Sequence, residues 1–173
     1  MSDQQPATMN DDEAAAFADE VFDRARRGDA DMLGRLLDSG LPVNLRNHKG
    51  DTLLMLASYH GQHQAVRVLL EHGADPLIAN DNGQLPIAGA AFKGDLPMIE
   101  LLIEHGVPVD AAAADGRTAL MLAAMFNRSE ILEFLLAKGA DPVRQDVRGA
   151  NALAAAQTMG AADTAARLQA LAG

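Results

Sequence analysis

The chain of 173 residues carries 24 acidic and 14 basic side chains, a net charge of −10, with 49% apolar residues, 3% aromatics and no cysteine. Disulfides and thiolate metal sites are excluded. The negative excess opposes non-specific nucleic-acid binding, which needs basic groups to displace counterions from phosphate. No run approaches the roughly 20 apolar residues that cross a bilayer, and the first 25 residues lack the basic start and apolar stretch of a secretory signal, so a cytoplasmic protein is expected.

In chain order, residues 1–13 show no periodicity and read as a disordered acidic arm. Residues 1–23 hold seven acids, from Asp3 to Asp23, and no Lys or Arg. A run of like charge is most simply a solubilising tail; the sharper reading is an arm that attracts a basic partner. Residues 14–46 read as an opening cap whose first helix has a polar outer side, with Asp19, Glu20, Asp23, Arg24, Arg26 and Arg27 along it. Asp29 stands where a second helix would begin and can cap its free N–H groups.

The segment 47–79 shows the pattern most fully. Asn47-His48-Lys49-Gly50 has turn chemistry. A short helix is predicted from Thr52 to His60, with Leu54 and Ala57 pointing inward, and Gly61 breaks it. A second helix is predicted from about Gln62 to Glu71, burying Val66, Leu69 and Leu70, with Gly73 as a left-handed terminator. Helices this short are marginal alone. They persist where each copy buries its apolar face on its neighbours. The same pattern repeats over 80–112 and 113–145, where Asp95 matches Asp29, and 146–173 closes the chain with an alanine-rich helix (Ala161, Ala162, Ala165, Ala166).

The copies keep one period. Gly40, Gly73, Gly106 and Gly139 are each 33 residues apart; so are Gly50, Gly83, Gly116 and Gly149. A third series, Gly28, Gly61, Gly94 and Gly160, has Asn127 in its vacant slot. Leu36, Leu69, Leu102, Leu135 and Leu168 share one position, and Ala57, Ala90, Ala123 and Ala156 another. A fixed period of this length marks stacked supersecondary units.

With Thr118-Ala119-Leu120 before Ala123-Ala124, and Leu69-Leu70 and Leu135-Leu136 before Gly-Ala-Asp, the chain resembles the ankyrin repeat. The resemblance runs over residues 17–171. It implies an all-α solenoid of stacked helix-turn-helix units with projecting hairpin loops. The family's Thr-Pro-Leu-His phrase is degraded: its proline slot holds Leu53, Pro86, Ala119 and Ala152, and its histidine slot Met55, Ala88, Met121 and Ala154. Thr52 and Thr118 survive, while Leu85 and Asn151 replace the other two threonines. Part of the polar tie between copies is lost, and apolar contact, including pliable Met, is expected to replace it.

The resemblance further implies a non-catalytic adaptor, scaffold or inhibitor that binds a protein partner on one concave face, built from hairpin tips and first helices. The tip residues here are His48, Lys49 and Asp51, then Asp81, Asn82 and Gln84, then Asp115 and Arg117, and Arg148 in the last copy. The helix ends contribute Tyr59 and His60, Phe92 and Lys93, Met125 and Phe126, and Met159. Tyr59, the only Tyr, and two of the five Phe fall in these slots. Aromatics and Met on an alanine-rich surface suit a partner anchor; large residues that merely cover the joints between copies would occupy the same slots. A monomer without cofactor is expected, its partner basic if the arm takes part.

Catalytic constellations are not discernible. No serine sits in G-x-S-x-G, no Walker-type lysine loop occurs, and His60 and His63 are parted by Gly61 with no third ligand in zincin spacing. His72 and His105 end helices, where a partly charged imidazole is favourable. A ligand- or metal-responsive module using His48, His60 and Lys93 is the alternative.

Overall fold

The structure, a computed structural model, describes residues 9–173. Ten helices follow in pairs: α1 (Asp11–Arg27) with α2 (Ala30–Asp38), α3 (Leu53–Tyr59) with α4 (His63–Glu71), α5 (Pro86–Lys93) with α6 (Leu96–Glu104), α7 (Ala119–Met125) with α8 (Ser129–Ala137), and α9 (Ala152–Met159) with α10 (Ala162–Ala172). The odd-numbered helices form one row, each packed on the next; α2, α4 and α6 lie behind in a second row, and α10 packs on α7, α8 and α9. The expected all-α solenoid is therefore the observed architecture.

The opening differs from expectation. The first helix begins at Asp11, so residues 11–13 belong to it and not to an arm. The signal lies in a capping box: Asn10 Oδ1 accepts from the Glu13 amide at 2.9 Å, and the Glu13 carboxylate accepts from the Asn10 amide at 3.0 Å. Asp11, Asp12 and Glu13 then sit at the positive end of the helix dipole. The remainder of the expected arm, residues 1–8, lies outside the described residues.

Between the end helices α1 and α9, the inner-row helices are short and mostly apolar because they are covered on most sides. Six of the seven residues of α3 are buried. The outer-row helices are amphipathic: α4 buries Ala65, Val66 and Leu69, and α8 buries Ile131, Leu132 and Leu135. Leu70, expected in the core, is only half-buried. One continuous core runs the length of the stack through Leu33, Leu54, Ile87, Leu102, Leu120 and Leu135.

Helix starts follow the side chains available. Thr52, Thr118 and Asn151 accept from the backbone amides of Met55, Met121 and Ala154 at 3.1, 3.3 and 2.9 Å. Leu85 cannot, and Pro86 at the next position removes one of the amides that would need a partner. Asp29 and Asp95 cap α2 and α6 through the amides of Met32 and Met98. Asn127, in the glycine slot, takes the left-handed conformation at φ +55°, as Asn can.

The polar ties between copies, expected to be weakened at the missing histidines, are found at the joints between the two helices of each pair and at the far ends of the outer helices. Gln62 Nε2 donates to the Arg26 carbonyl at 2.8 Å, and an Arg128 guanidinium N–H donates to the Phe92 carbonyl at 3.2 Å. His63 Nε2 lies 2.8 Å from the Asp95 carboxylate and His72 Nε2 3.1 Å from that of Asp38. Asn127 Nδ2 donates to Asp163 at 2.8 Å, and the buried Thr164 hydroxyl donates to the Ala124 carbonyl at 2.7 Å. Each of these bonds spans about one repeat of chain.

The hairpin tips are tied into a ladder of their own. The amides of Asp81, Ala114 and Val147 donate to the carbonyls of Lys49, Gly83 and Asp115, all at 3.0 Å. Within three of the four tips an Asx side chain holds the turn: Asn47 accepts from the Lys49 and Asp51 amides, Asn80 from those of Asn82 and Gln84, and Asp146 from those of Arg148 and Ala150. The third tip has Ala113 in that slot and relies on backbone bonds and on Asp115, whose carboxylate accepts from the Arg117 amide at 3.0 Å. Gly83 shows why glycine recurs at these turns. Its φ is +73°, and a Cβ there would stand 2.5 Å from the Cβ of Ala114 in the next tip.

Candidate protein-binding groove

The tips project from the inner row, so each hairpin and the outward side of the helix after it form two walls of an open groove of about 700 Å³. The tip wall carries His48, Lys49 and Asp51, then Asn82 and Gln84, then Asp115 and Arg117. The helix wall carries Tyr59, His60, Phe92, Met125 and Phe126. These twelve of the residues singled out in the sequence share one groove.

The other four stand apart from its lining. Asp81 turns toward the preceding hairpin, where its carboxylate lies 3.5 Å from an Arg46 guanidinium nitrogen. Lys93 leans back over the preceding copy, with Nζ 4.5 Å from the centroid of the Tyr59 ring, a favourable cation–π contact. Arg148 and Met159 belong to the last copy, beyond the end of the groove, where Met159 is 51% exposed.

The aromatic row has graded exposure. Tyr59 is 41% and Phe92 43% exposed, while Phe126 and Met125 are half-buried. Phe92 and Phe126 meet edge to face, with centroids 4.9 Å apart and planes at 85°, a preferred aromatic geometry. Phe126 thus covers the joint between α5 and α7 while Phe92 keeps much of its surface open to the groove. Beneath them lie Met55 and Leu122, and the Tyr59 ring packs beside Gly89.

Sequence reasoning missed part of the lining. Arg26 enters from the end of α1, and Asn47 and Asn80 from the turns they hold. Arg26 was visible as the residue one repeat before Tyr59; its assignment to an outer face hid that. Met55 fills the family's histidine slot and was read only as filler. His60 and His63 diverge, His60 lining the groove and His63 reaching Asp95 behind it. Among the described residues no three His, Asp or Glu side chains gather to hold a metal ion.

Electrostatics fix the tips further. The Asp146 carboxyl is held below the ordinary range, first by the Ala150 amide and then by that of Arg148, with Arg117 nearby. It therefore stays ionised, keeps the last turn closed, and lies 3.9 Å from Arg117 Nε at the groove's end.

A run of helix pairs with a tip ladder and a 33-residue glycine period is the architecture of a repeat solenoid. The chain belongs to the ankyrin-repeat family: the family model for ankyrin repeats (3 copies) matches residues 22–112 and 73–146. It is 56% identical over 63 residues to a Pseudomonas aeruginosa protein named as an ankyrin repeat protein, covering 36% of this chain and 37% of that one. It is 42% identical over 59 residues to ankyrin repeat domain-containing protein 29 of Danio rerio, covering 34% of this chain and 20% of that one. The matched stretches span well under half the length of these curated relatives. Ankyrin repeats are generally protein–protein interaction modules, and the family is typically non-enzymatic. No described helix is long and apolar enough to cross a membrane.

Proposed function

We propose that this chain is a non-catalytic interaction module, an adaptor, scaffold or inhibitor, that holds a protein partner in the groove between its hairpin tips and inner helices. The carrying observation is the exposure of Tyr59 and Phe92, 41% and 43%, on a groove wall that is otherwise mostly apolar. Rigid aromatics that stay partly solvated, flanked by the hydrogen-bonding groups of the tips, are the anchors that interfaces use. The setting we propose is cytoplasmic and the working unit a single copy of the chain.

Crosslinking and mass spectrometry in the native cell identify the partner, and Phe92→Ala is then measured against it. The substitution is expected to weaken binding by at least about 2 kcal/mol, some thirtyfold. The melting temperature should stay close to that of the parent, because the ring is not core. Unfolding of the variant with unchanged affinity in the folded fraction would reject the reading and leave Phe92 as a joint cover.

A further inference from the structure

Beyond the opening helix α1, which itself carries six acids, charge in this acidic chain is sorted by row. The inner helices α3, α5, α7 and α9 contain no Asp or Glu, although the chain has 24, and their single charged residue is Lys93. The outer helices carry Glu71 on α4, Glu100 and Glu104 on α6, Glu130 and Glu133 on α8, and Asp163 on α10. The acid excess of the described helices thus lies in α1, α2, α6 and α8, while the groove lining sets Arg26, Lys49 and Arg117 against Asp51 and Asp115 and does not share it.

Two carboxylates do line the groove, and both are engaged. Asp51 accepts from Asn80 Nδ2 at 3.0 Å, and Asp115 accepts from the Arg117 amide and lies 3.5 Å from Arg117 Nε. Among the described residues Lys49 and Lys93 have no ion-pair partner. Lys49 stands on the tip wall. Lys93 rests on the Tyr59 ring and follows the part-exposed Phe92 in the chain. A carboxylate arriving there meets a cation whose far side is already covered by an aromatic face.

We propose that the groove takes an acidic segment of a partner protein: a large apolar side chain seated against Phe92, with Asp or Glu beside it paired to Lys93 and Lys49. This rests on the groove being the docking face. Nucleic acid fits less well. A polyanion would need a long track of unpaired cations and would feel the chain's negative excess along its length, whereas a short acidic stretch is screened from the back of the stack within about 10 Å at 0.1 M salt.

The test is a displayed library of short random peptides panned on the full chain at low salt. Each enriched peptide is then measured by fluorescence polarisation against the parent, Lys49→Glu/Lys93→Glu, Phe92→Ala and Tyr59→Ala. Both lysines are exposed, and circular dichroism confirms that each variant folds. The expected result is enrichment of peptides with an apolar residue flanked by Asp or Glu. Their affinity should fall roughly tenfold or more with the double charge reversal, most of that difference vanish at high salt, and the loss of either aromatic weaken them as well. Peptides that are basic or uncharged, but still lost with Phe92→Ala or Tyr59→Ala, overturn the acidic preference and leave the groove standing. Peptides indifferent to every substitution, no enrichment at all, or tighter binding of an oligouridylate probe, overturn the groove together with its preference.

Discussion

The inner and outer helix rows share a core but meet water in opposite ways. Leu54 and Leu120 of the inner row and Leu102 and Leu135 of the outer are all at or below 1% exposed, so both rows give fully buried side chains to that core. What differs is the remaining surface. An outer helix has one free side, and the chain fills it with Arg67, Glu100, Glu130 and Glu133. An inner helix is flanked by two others, and what it leaves open faces the hairpins. Carboxylates are absent from α3, α5, α7 and α9, and the groove's helix wall is made of Ala, Leu, Met, His60 and aromatics. The polar surface therefore lies mainly on one row, and the proposed docking face on the other.

The sharpest way to break this comparison is to move a carboxylate across it. Ala123 on α7 is 0% exposed, and Ala123→Glu buries a charge with no partner. A loss of about 4 kcal/mol is expected, a large share of the 5–15 kcal/mol that holds a typical domain. Ala137→Glu, on the exposed end of α8, should stay within about 0.5 kcal/mol. Urea melts followed by circular dichroism compare the two; equal costs would mean the rows are not distinct environments.

Next in size is a contrast between glycines of like backbone and unlike surroundings. Gly83 and Gly73 both have positive φ, +73° and +84°, but an added Cβ at Gly83 meets Ala114 while at Gly73 nothing lies within 4 Å. Gly73→Ala should cost about 1 kcal/mol for the left-handed conformation alone. Gly83→Ala should cost about 2 kcal/mol, since the tips must also part, and it should weaken groove binding where Gly73→Ala does not. Smaller again is Thr118→Ala, which removes the cap of α7 and is expected to cost about 1 kcal/mol in the same melts. Leu85 shows that a copy survives without that cap, so a much larger loss would point to the buried hydroxyl doing more than capping.

The helices of residues 47–79 were legible almost to the residue: Thr52 and His60 bound α3, and Gln62 precedes α4. Turn and cap chemistry is local, and the sequence carries it directly. The start of α1 was legible too, in Asn10 and Glu13, but an acidic run masked a capping box. Two features lie outside local reading. The ties of Gln62 and Arg128 depend on how far a long side chain reaches into the neighbouring copy. The charge of the groove depends on which row each acid belongs to, so the acidic run of residues 1–23 pointed toward a basic partner while the groove's own charges support the acidic one proposed above.

The smallest expected effect tests the back of the stack by itself. His72 closes α4, with its imidazole at the Val68 carbonyl and the Asp38 carboxylate, at 2.7 and 3.1 Å. Its pKa lies above the ordinary 6.5, first because of the bond to the Val68 carbonyl and then because of Asp38. A raised folded-state value means the folded protein holds this proton more tightly than the unfolded chain. The stabilisation is therefore complete below pH 6.5 and is lost as pH climbs through the higher folded value. His72→Gln should lower the melting temperature more at pH 6 than at pH 8.5, and the gap should shrink with added salt because Asp38 is exposed. His105 provides the control. It makes the same carbonyl contact, to Leu101 at 2.8 Å, and has no carboxylate partner among the described residues. If His105→Gln showed the same pH dependence as His72→Gln, the ion pair across copies would contribute nothing, and the helix end alone would account for the effect.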